Sequence, residues 1–364
     1  MAMHHGPDLD ALAAALANLP GHTGIIAPAD LSLLAVKGLA HDHVAIRGRA
    51  LLLRVPKQSQ FALSAAKNLA YQAACFARVA ASGHGPRLYG IIDPAPAVPM
   101  GALLVQRIEG RPPYLPDDLP SLAAAMAAVH SLPLPNPAAR PPLANHPDPV
   151  GGAMAEVETQ ARLLAEAELA PAARAEIDEE LAWARAFQAE AQGRAQPVTL
   201  VLTDTHPGNF LIQADGRAVI VDLEKALYGS PATDLAHATV YSSTTWDPDT
   251  WADLTVDQVA GFYRNYLDRA DPDLAAALRP WLIPMRRITQ LRALTWCAKW
   301  QVLHRRAAVP GKETAARTED WSADNTDPAL VAHVAGRVAD YLSPASIRRM
   351  RGEWLNQPSL DAMI

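Results

Sequence analysis

The chain has 364 residues, half of them hydrophobic and 19% charged, with a formal net charge of -6. That length can bury one large core or two ordinary ones, and the hydrophobic fraction excludes a disordered chain. Two cysteines, Cys75 and Cys297, cannot build a disulfide framework and point to a reducing compartment, while the mild acidity argues against a nucleic-acid partner.

No apolar run reaches the roughly 20 residues that span a bilayer. The first residues also lack a basic stretch followed by an apolar one. The expectation is a cytoplasmic protein without a membrane partner.

In chain order, residues 31–105 mix short apolar runs with turn signals. The runs Val44-Ala-Ile46 and Ala50-Leu-Leu-Leu53 flank Arg47-Gly48-Arg49, which predicts a hairpin. Residues 59–81 place apolar side chains at helical spacing with Gly83 beyond them, and strand-like runs follow at 88–92 and 102–105. After Glu109-Gly110-Arg111-Pro112-Pro113 the pattern turns helical, with amphipathic stretches at 119–130, 154–167, 172–191, 256–268, 280–306 and 330–341. Residues 132–149 are too rich in proline for regular helix. One island breaks the helices, with β-type runs at 198–202, 210–213 and 218–221. The whole reads as a small mixed lobe, a short connector and a larger helical lobe.

The island carries the chemistry. It contains Asp204, then Asn209 five residues on in a loop with Pro207 and Gly208, then Asp222 ending a β-run. That spacing matches phosphoryl transfer in protein kinases, where a loop Asp and Asn precede a metal-holding Asp. A carboxylate and an amide oxygen are the hard ligands Mg²⁺ prefers, and a second carboxylate can accept a proton from an attacking hydroxyl.

The segment Asp204-Thr-His-Pro-Gly-Asn209, with Val221-Asp-Leu-Glu224 and Gly229-Ser-Pro-Ala-Thr-Asp234, resembles the aminoglycoside phosphotransferase and choline kinase superfamily. Leu51-Leu-Leu-Arg-Val-Pro56 is similar to the strand bearing its phosphate-contacting cation. Leu104-Val-Gln-Arg-Ile-Glu-Gly-Arg111 is similar to its linker, and the helix ending in His130 to its first large-lobe helix. The resemblance implies an α+β, two-lobed, protein-kinase-like fold. It would have a β-rich N-lobe over residues 1–108 with one long helix, and a mostly helical C-lobe over 109–364. It implies ATP and Mg²⁺ as cofactors and a small-molecule alcohol as acceptor. Asp204 would be the catalytic base, and Asn209 and Asp222 would hold Mg²⁺. Arg54 would contact the ATP phosphates, the backbone of Gln106 and Ile108 would face adenine, and Asp234 would be structural, supporting the loop after the metal site.

Three departures from the family pattern stand out. Leu202 replaces the histidine of the family's His-Gly-Asp, which puts the rigidity of the loop in question. Gln72 replaces the glutamate that pairs the cation, so a hydrogen bond to Arg54 is expected instead. Gly38 stands alone where the family tends to have two glycines for backbone contact with phosphate. A second reading, a kinase-like protein that binds nucleotide or a metabolite without turnover, rests on Leu202 and Gln72.

Among other residues, Glu224, Trp246, Trp296 and Trp300 are candidates for acceptor binding. An aromatic pair such as Trp296 and Trp300 can box an ammonium group by cation–π attraction, although spacing of one helical turn is more often core packing. Acidic residues near Trp246 would suit a cationic acceptor. His206 reads as a capping or packing residue, and His41-Asp42-His43 as a solvated loop.

Overall fold

The computed structural model describes residues 6–20, 26–34, 40–307 and 328–364. Strands β1 (Leu31–Leu33), β2 (His41–Ile46), β3 (Leu51–Pro56), β4 (Leu88–Ile92) and β5 (Ala102–Gln106) form an antiparallel sheet in the order β1-β2-β3-β5-β4. The expected hairpin is β2–β3, with Val44 opposite Leu53 and Gly48 in the left-handed region at φ 69°. Helix α1 (Leu9–Ala17) lays Leu12 and Leu16 on this sheet against Val44, Ile46, Leu53 and Leu104.

The sheet corrects the reading of His41-Asp42-His43 as a solvated loop. These residues open β2, and His41 and Asp42 are buried. Pairing with β3 satisfies their backbone, and Lys57 meets Asp42 at 3.0 Å. Covered in this way, polar side chains can be buried.

Helix α2 (Ala65–Val79) begins six residues later than its apolar spacing suggests. Ser59 Oγ accepts from the N–H groups of Phe61 and Leu63, holding that stretch in a turn. One face of α2 joins Leu103 and Val105 in the main core. The other contacts of α2 reach across the molecule, with Tyr71 donating to the Ala226 carbonyl at 2.8 Å and Arg78 to the Tyr228 hydroxyl at 3.1 Å.

The helical region comprises α3 (Leu119–His130), α4 (Pro149–Ala161), α5 (Pro171–Ala191), α6 (Pro231–His237), α7 (Tyr241–Thr244), α8 (Val256–Leu267) and α9 (Pro272–Leu278). It continues with α10 (Leu282–Ala307), α11 (Pro328–Tyr341), α12 (Pro344–Leu355) and α13 (Leu360–Met363). Helix α10 packs on α4, α5, α6 and α11. Helix α4 starts at Pro149, earlier than its apolar pattern, because Asp148 caps it and proline suits the first turn. The β island folds as two ribbons, β6 (Thr199–Val201) with β9 (Leu227–Gly229), and β7 (Phe210–Ile212) with β8 (Ala218–Ile220). Strand β9 went unread in the sequence, because three residues are too few for an alternation signal. The result is a two-lobed fold of the protein-kinase type, with the ribbons where sheet and helices meet. No helix among the described residues is long and apolar enough to cross a membrane.

Candidate active site

The ribbons position the three key residues. Asp204 and Asn209 lie in the loop between β6 and β7, and Asp222 follows β8. The Asn209 carbonyl accepts from Val221 N–H at 2.9 Å, which brings Asp222 beside the loop. Asn209 Nδ2 donates to the Asp204 carbonyl at 2.8 Å, which leaves the amide oxygen as the side-chain atom suited to a cation. An amide oxygen and a carboxylate are a hard-oxygen donor set, so the residues fit Mg²⁺.

Asp234 holds the loop from below. It is fully buried on α6, and its carboxylate accepts from Leu202 N–H and Thr203 N–H, each at 2.7 Å. These two bonds stabilise Thr203 in the left-handed region at φ 62°, a conformation that costs a threonine about 1–3 kcal/mol. His130 Nε2 meets the same carboxylate at 3.1 Å, and its Nδ1 meets the Tyr266 hydroxyl at 2.8 Å. Leu202 therefore does not leave the loop unsupported, since Asp234 and His130 orient it through its backbone.

Asp204 is paired. Lys225 Nζ lies 2.7 Å from Asp204 Oδ2, and the Lys225 carbonyl accepts from Thr203 Oγ1 at 3.0 Å. Burial alone would raise the Asp204 pKa, but the charge and hydrogen bond of Lys225 above all outweigh it and hold the carboxyl well below the usual range. Burial works against the Lys225 charge too, yet Asp204 keeps its ammonium above the ordinary lysine value. His237 Nδ1 lies 4.0 Å from Asp204 Oδ1 and accepts from Thr205 N–H at 3.0 Å. Burial pushes that imidazole down to about 3, so it is neutral.

Arg54 sits opposite, on β3, only 4% exposed. Its Nη2 is ion-paired to Asp222 and to Glu224, the latter at 3.2 Å. Burial opposes its charge, and the two carboxylates more than offset that, raising its pKa. Glu224 is pushed up to about 7 by burial and by Asp222. Its partners are Arg54, His41 at 2.9 Å and Gln60, so its side chain belongs to the Arg54 cluster and not to the tryptophans.

The expected Gln72–Arg54 hydrogen bond is replaced by a longer chain. Gln72 Oε1 lies 3.1 Å from His41 Nε2, and His41 Nδ1 lies 3.3 Å from Arg54 Nη2. Burial holds His41 well below the usual histidine value, so a neutral ring relays between the two. The reason is β2, which places His41 between Gln72 and Arg54.

The remaining candidates divide. Trp246 and Trp296 meet edge to face at 6.0 Å, with His333 5.6 Å from Trp246. Trp300 does not join them. It is buried and stacked on His304 at 4.6 Å, beside a cavity of about 360 Å³ that also includes Glu168 and Leu342. Gln106 N–H is committed to the Arg87 carbonyl at 2.8 Å. Ile108 follows in the connector, which is bridged to β7 through Arg111 and Ile212. A cavity of about 440 Å³ opens there, lined by Glu109, Gly110, Arg111, Ile212 and Gln213. Gly38 lies outside the described residues. His206 packs its ring 6.4 Å from that of His237. Sequence reasoning missed Lys225, His41 and His237. Of these only Lys225 gave a signal, as a cation directly after Asp-Leu-Glu.

A family model described as the phosphotransferase enzyme family matches residues 37–281. A search of curated proteins returns no match. Among solved structures, the chain is similar to a choline/ethanolamine kinase family protein from Mesorhizobium loti, at 17% identity and TM-score 0.54, covering 93% of this chain and 99% of that one. It is similar to choline kinase from Cryptosporidium parvum, at 13% identity and TM-score 0.56, covering 95% and 97%. A macrolide 2'-phosphotransferase from Brachybacterium faecium follows at 17% identity and TM-score 0.51, covering 93% and 98%. At such identities these likenesses establish the two-lobed fold, whereas the family model spans most of the chain and includes Arg54, Asp204, Asn209, Asp222 and Asp234. The chain belongs to the phosphotransferase enzyme family.

Proposed function

We propose that this protein is an ATP-dependent phosphotransferase that moves the γ-phosphoryl group to a hydroxyl of a small molecule. The observation that carries the reading is the joining of Asp204, Asn209 and Asp222 by the loop's own hydrogen bonds. Asp204 Oδ2 is held by Lys225, so Oδ1 is the atom left to accept the acceptor proton. The acceptor oxygen bonds to the γ-phosphorus, the bond from that phosphorus to the ADP oxygen breaks, and the proton passes to Asp204.

Asn209 and Asp222 would hold Mg²⁺, which supplies charge neutralisation for the phosphates when bound. Arg54 would exchange its carboxylate partners for phosphate oxygens. Asp234 and His130 keep the loop in register, and such positioning accounts for much of catalysis in this reaction class. The choline kinase and macrolide phosphotransferase likenesses support an alcohol acceptor.

The test is turnover of ATP with a panel of hydroxylated acceptors, read as ADP and phosphorylated product by mass spectrometry, with and without EDTA. Acceptor-dependent, Mg²⁺-dependent product is expected. Binding of Mg·ATP with no transfer to any acceptor would favour the reading as a binding protein.

A further inference from the structure

An ammonium-bearing acceptor is met by an aromatic face or by a negative group near the reacting hydroxyl. In this chain the nearest one, Asp204, is already spent on Lys225 at 2.7 Å. The lysine side chain is about a third exposed, and its ammonium has three donors, of which Asp204 takes one. The other two can face the cleft.

The surroundings of Asp204 Oδ1 extend the pattern. His237 lies 4.0 Å away, and His206 packs against His237. Arg292 lies on α10, which packs on α6, the helix that ends in His237. Arg292 stands one turn before Trp296, which contacts Trp246. Its own acid partner, Glu156, is 3.5 Å away and half exposed, a weak pair that leaves guanidinium donors over. One acid faces the loop from the other side. Asp247 packs its carboxylate against Gly208, where an added Cβ would come within 2.4 Å of Asp247 Oδ2, and it accepts from Asp249 N–H at 2.9 Å. Lys225 adjoins the base at Oδ2, Arg292 lies on the helix packed against α6, and Asp247 is an acid that an ammonium could use.

We propose that Lys225 sets the charge class of the acceptor, so that the alcohol phosphorylated here bears a carboxylate near its reacting hydroxyl, held by Lys225 and Arg292, and not an ammonium group. This rests on the phosphotransferase reading above and deepens it. The balance of the step is unchanged: the hydroxyl oxygen gains the phosphoryl group, ADP leaves, and Asp204 takes the proton. The acceptor carboxylate stays intact and serves only for binding. This departs from the expectation that acidic residues near Trp246 suit a cationic acceptor.

The test uses the full chain with acceptor sets matched in size and differing in charge: glycolate, ethylene glycol and ethanolamine, then glycerate, glycerol and serinol, then larger hydroxy acids, polyols and amino alcohols. Wild type should favour the carboxylate member of a set by at least about tenfold in kcat/KM. Lys225→Met and Arg292→Gln should each shrink that ratio, chiefly through KM for the carboxylate member. Because Lys225→Met removes the ammonium partner of Asp204, Arg292→Gln and the wild-type panel carry the inference independently. A wild-type preference for ammonium acceptors, weakened by Asp247→Asn, would overturn it. So would an equal loss for all three members of a set in both variants, which would assign these cations to the phosphoryl group alone. Either result with turnover still dependent on Asp204 would leave the phosphotransferase reading standing. Calorimetry of Mg·ATP tests that reading separately.

Discussion

Two arginines are buried in this molecule on different terms. Arg286 on α10 is fully buried, and each of its nitrogens has a partner. Nε and Nη2 donate to the two oxygens of Glu353 at 2.6 and 2.9 Å, and Nη1 donates to Thr239 Oγ1 at 2.7 Å. Arg54 is nearly as buried, yet its Nε has no partner, and its Nη2 is shared among Asp222, Glu224 and His41. A closed, bidentate pair fixes geometry and cannot be exchanged without loss. A cation whose partners include a metal-suited carboxylate can release them when phosphate and metal arrive together. The first pair ties α10 to α12, and under the proposed function the second is the one that phosphate and metal would open.

The comparison can be broken at Glu353. Glu353→Ala strands a buried guanidinium and should cost about 3–5 kcal/mol in urea unfolding, with kcat of the folded fraction retained. A loss below about 1 kcal/mol would show that the pair is not structural. Asp222→Ala attacks the other arginine. Glu224 remains 3.2 Å from Arg54, so the stability loss should be smaller than for Glu353→Ala, while Mg·ATP affinity by calorimetry should fall about 100-fold, equivalent to about 2.7 kcal/mol. Unchanged affinity would remove Asp222 from the metal site.

Asp234→Asn sharpens the boundary between the two roles. An amide can accept only one of the two N–H bonds at 202 and 203, so kcat should fall about tenfold with Mg·ATP affinity held. A change in affinity alone would contradict a loop-positioning role. The smallest effect is expected at the cysteines. Burial pushes the Cys75 thiol up to about 12, and Cys297 is raised further. Neither should be alkylated by iodoacetamide at pH 8 until the protein unfolds, and rapid native labelling would contradict their packing.

The fold and the chemistry differed in how legible they were. The long helices showed their apolar faces, and the hairpin at Gly48 showed its turn. Asp204, Asn209 and Asp222 stood out because the residue types that metal and proton chemistry would require occur there at a fixed spacing, and the loop's hydrogen bonds bring them together. What escaped was tertiary. Nothing local in His41-Asp42-His43 says that β3 and Lys57 will cover it, or that His41 will stand between Gln72 and Arg54. Leu202 looked like a loss because the support for its loop comes from Asp234, 32 residues away, through backbone bonds that no side-chain motif displays. Trp300 and Trp296 share a helical turn, yet their ring partners differ, Trp246 for Trp296 and His304 for Trp300.

The most direct test of the central claim compares wild type with Asp204→Ala for phosphoryl transfer from Mg·ATP at saturating acceptor. The account predicts a fall in kcat of about 10²–10⁴-fold, with Mg·ATP affinity by calorimetry within about threefold of wild type. Equal turnover in the two proteins would contradict the assignment of Asp204 as the group that takes the acceptor proton.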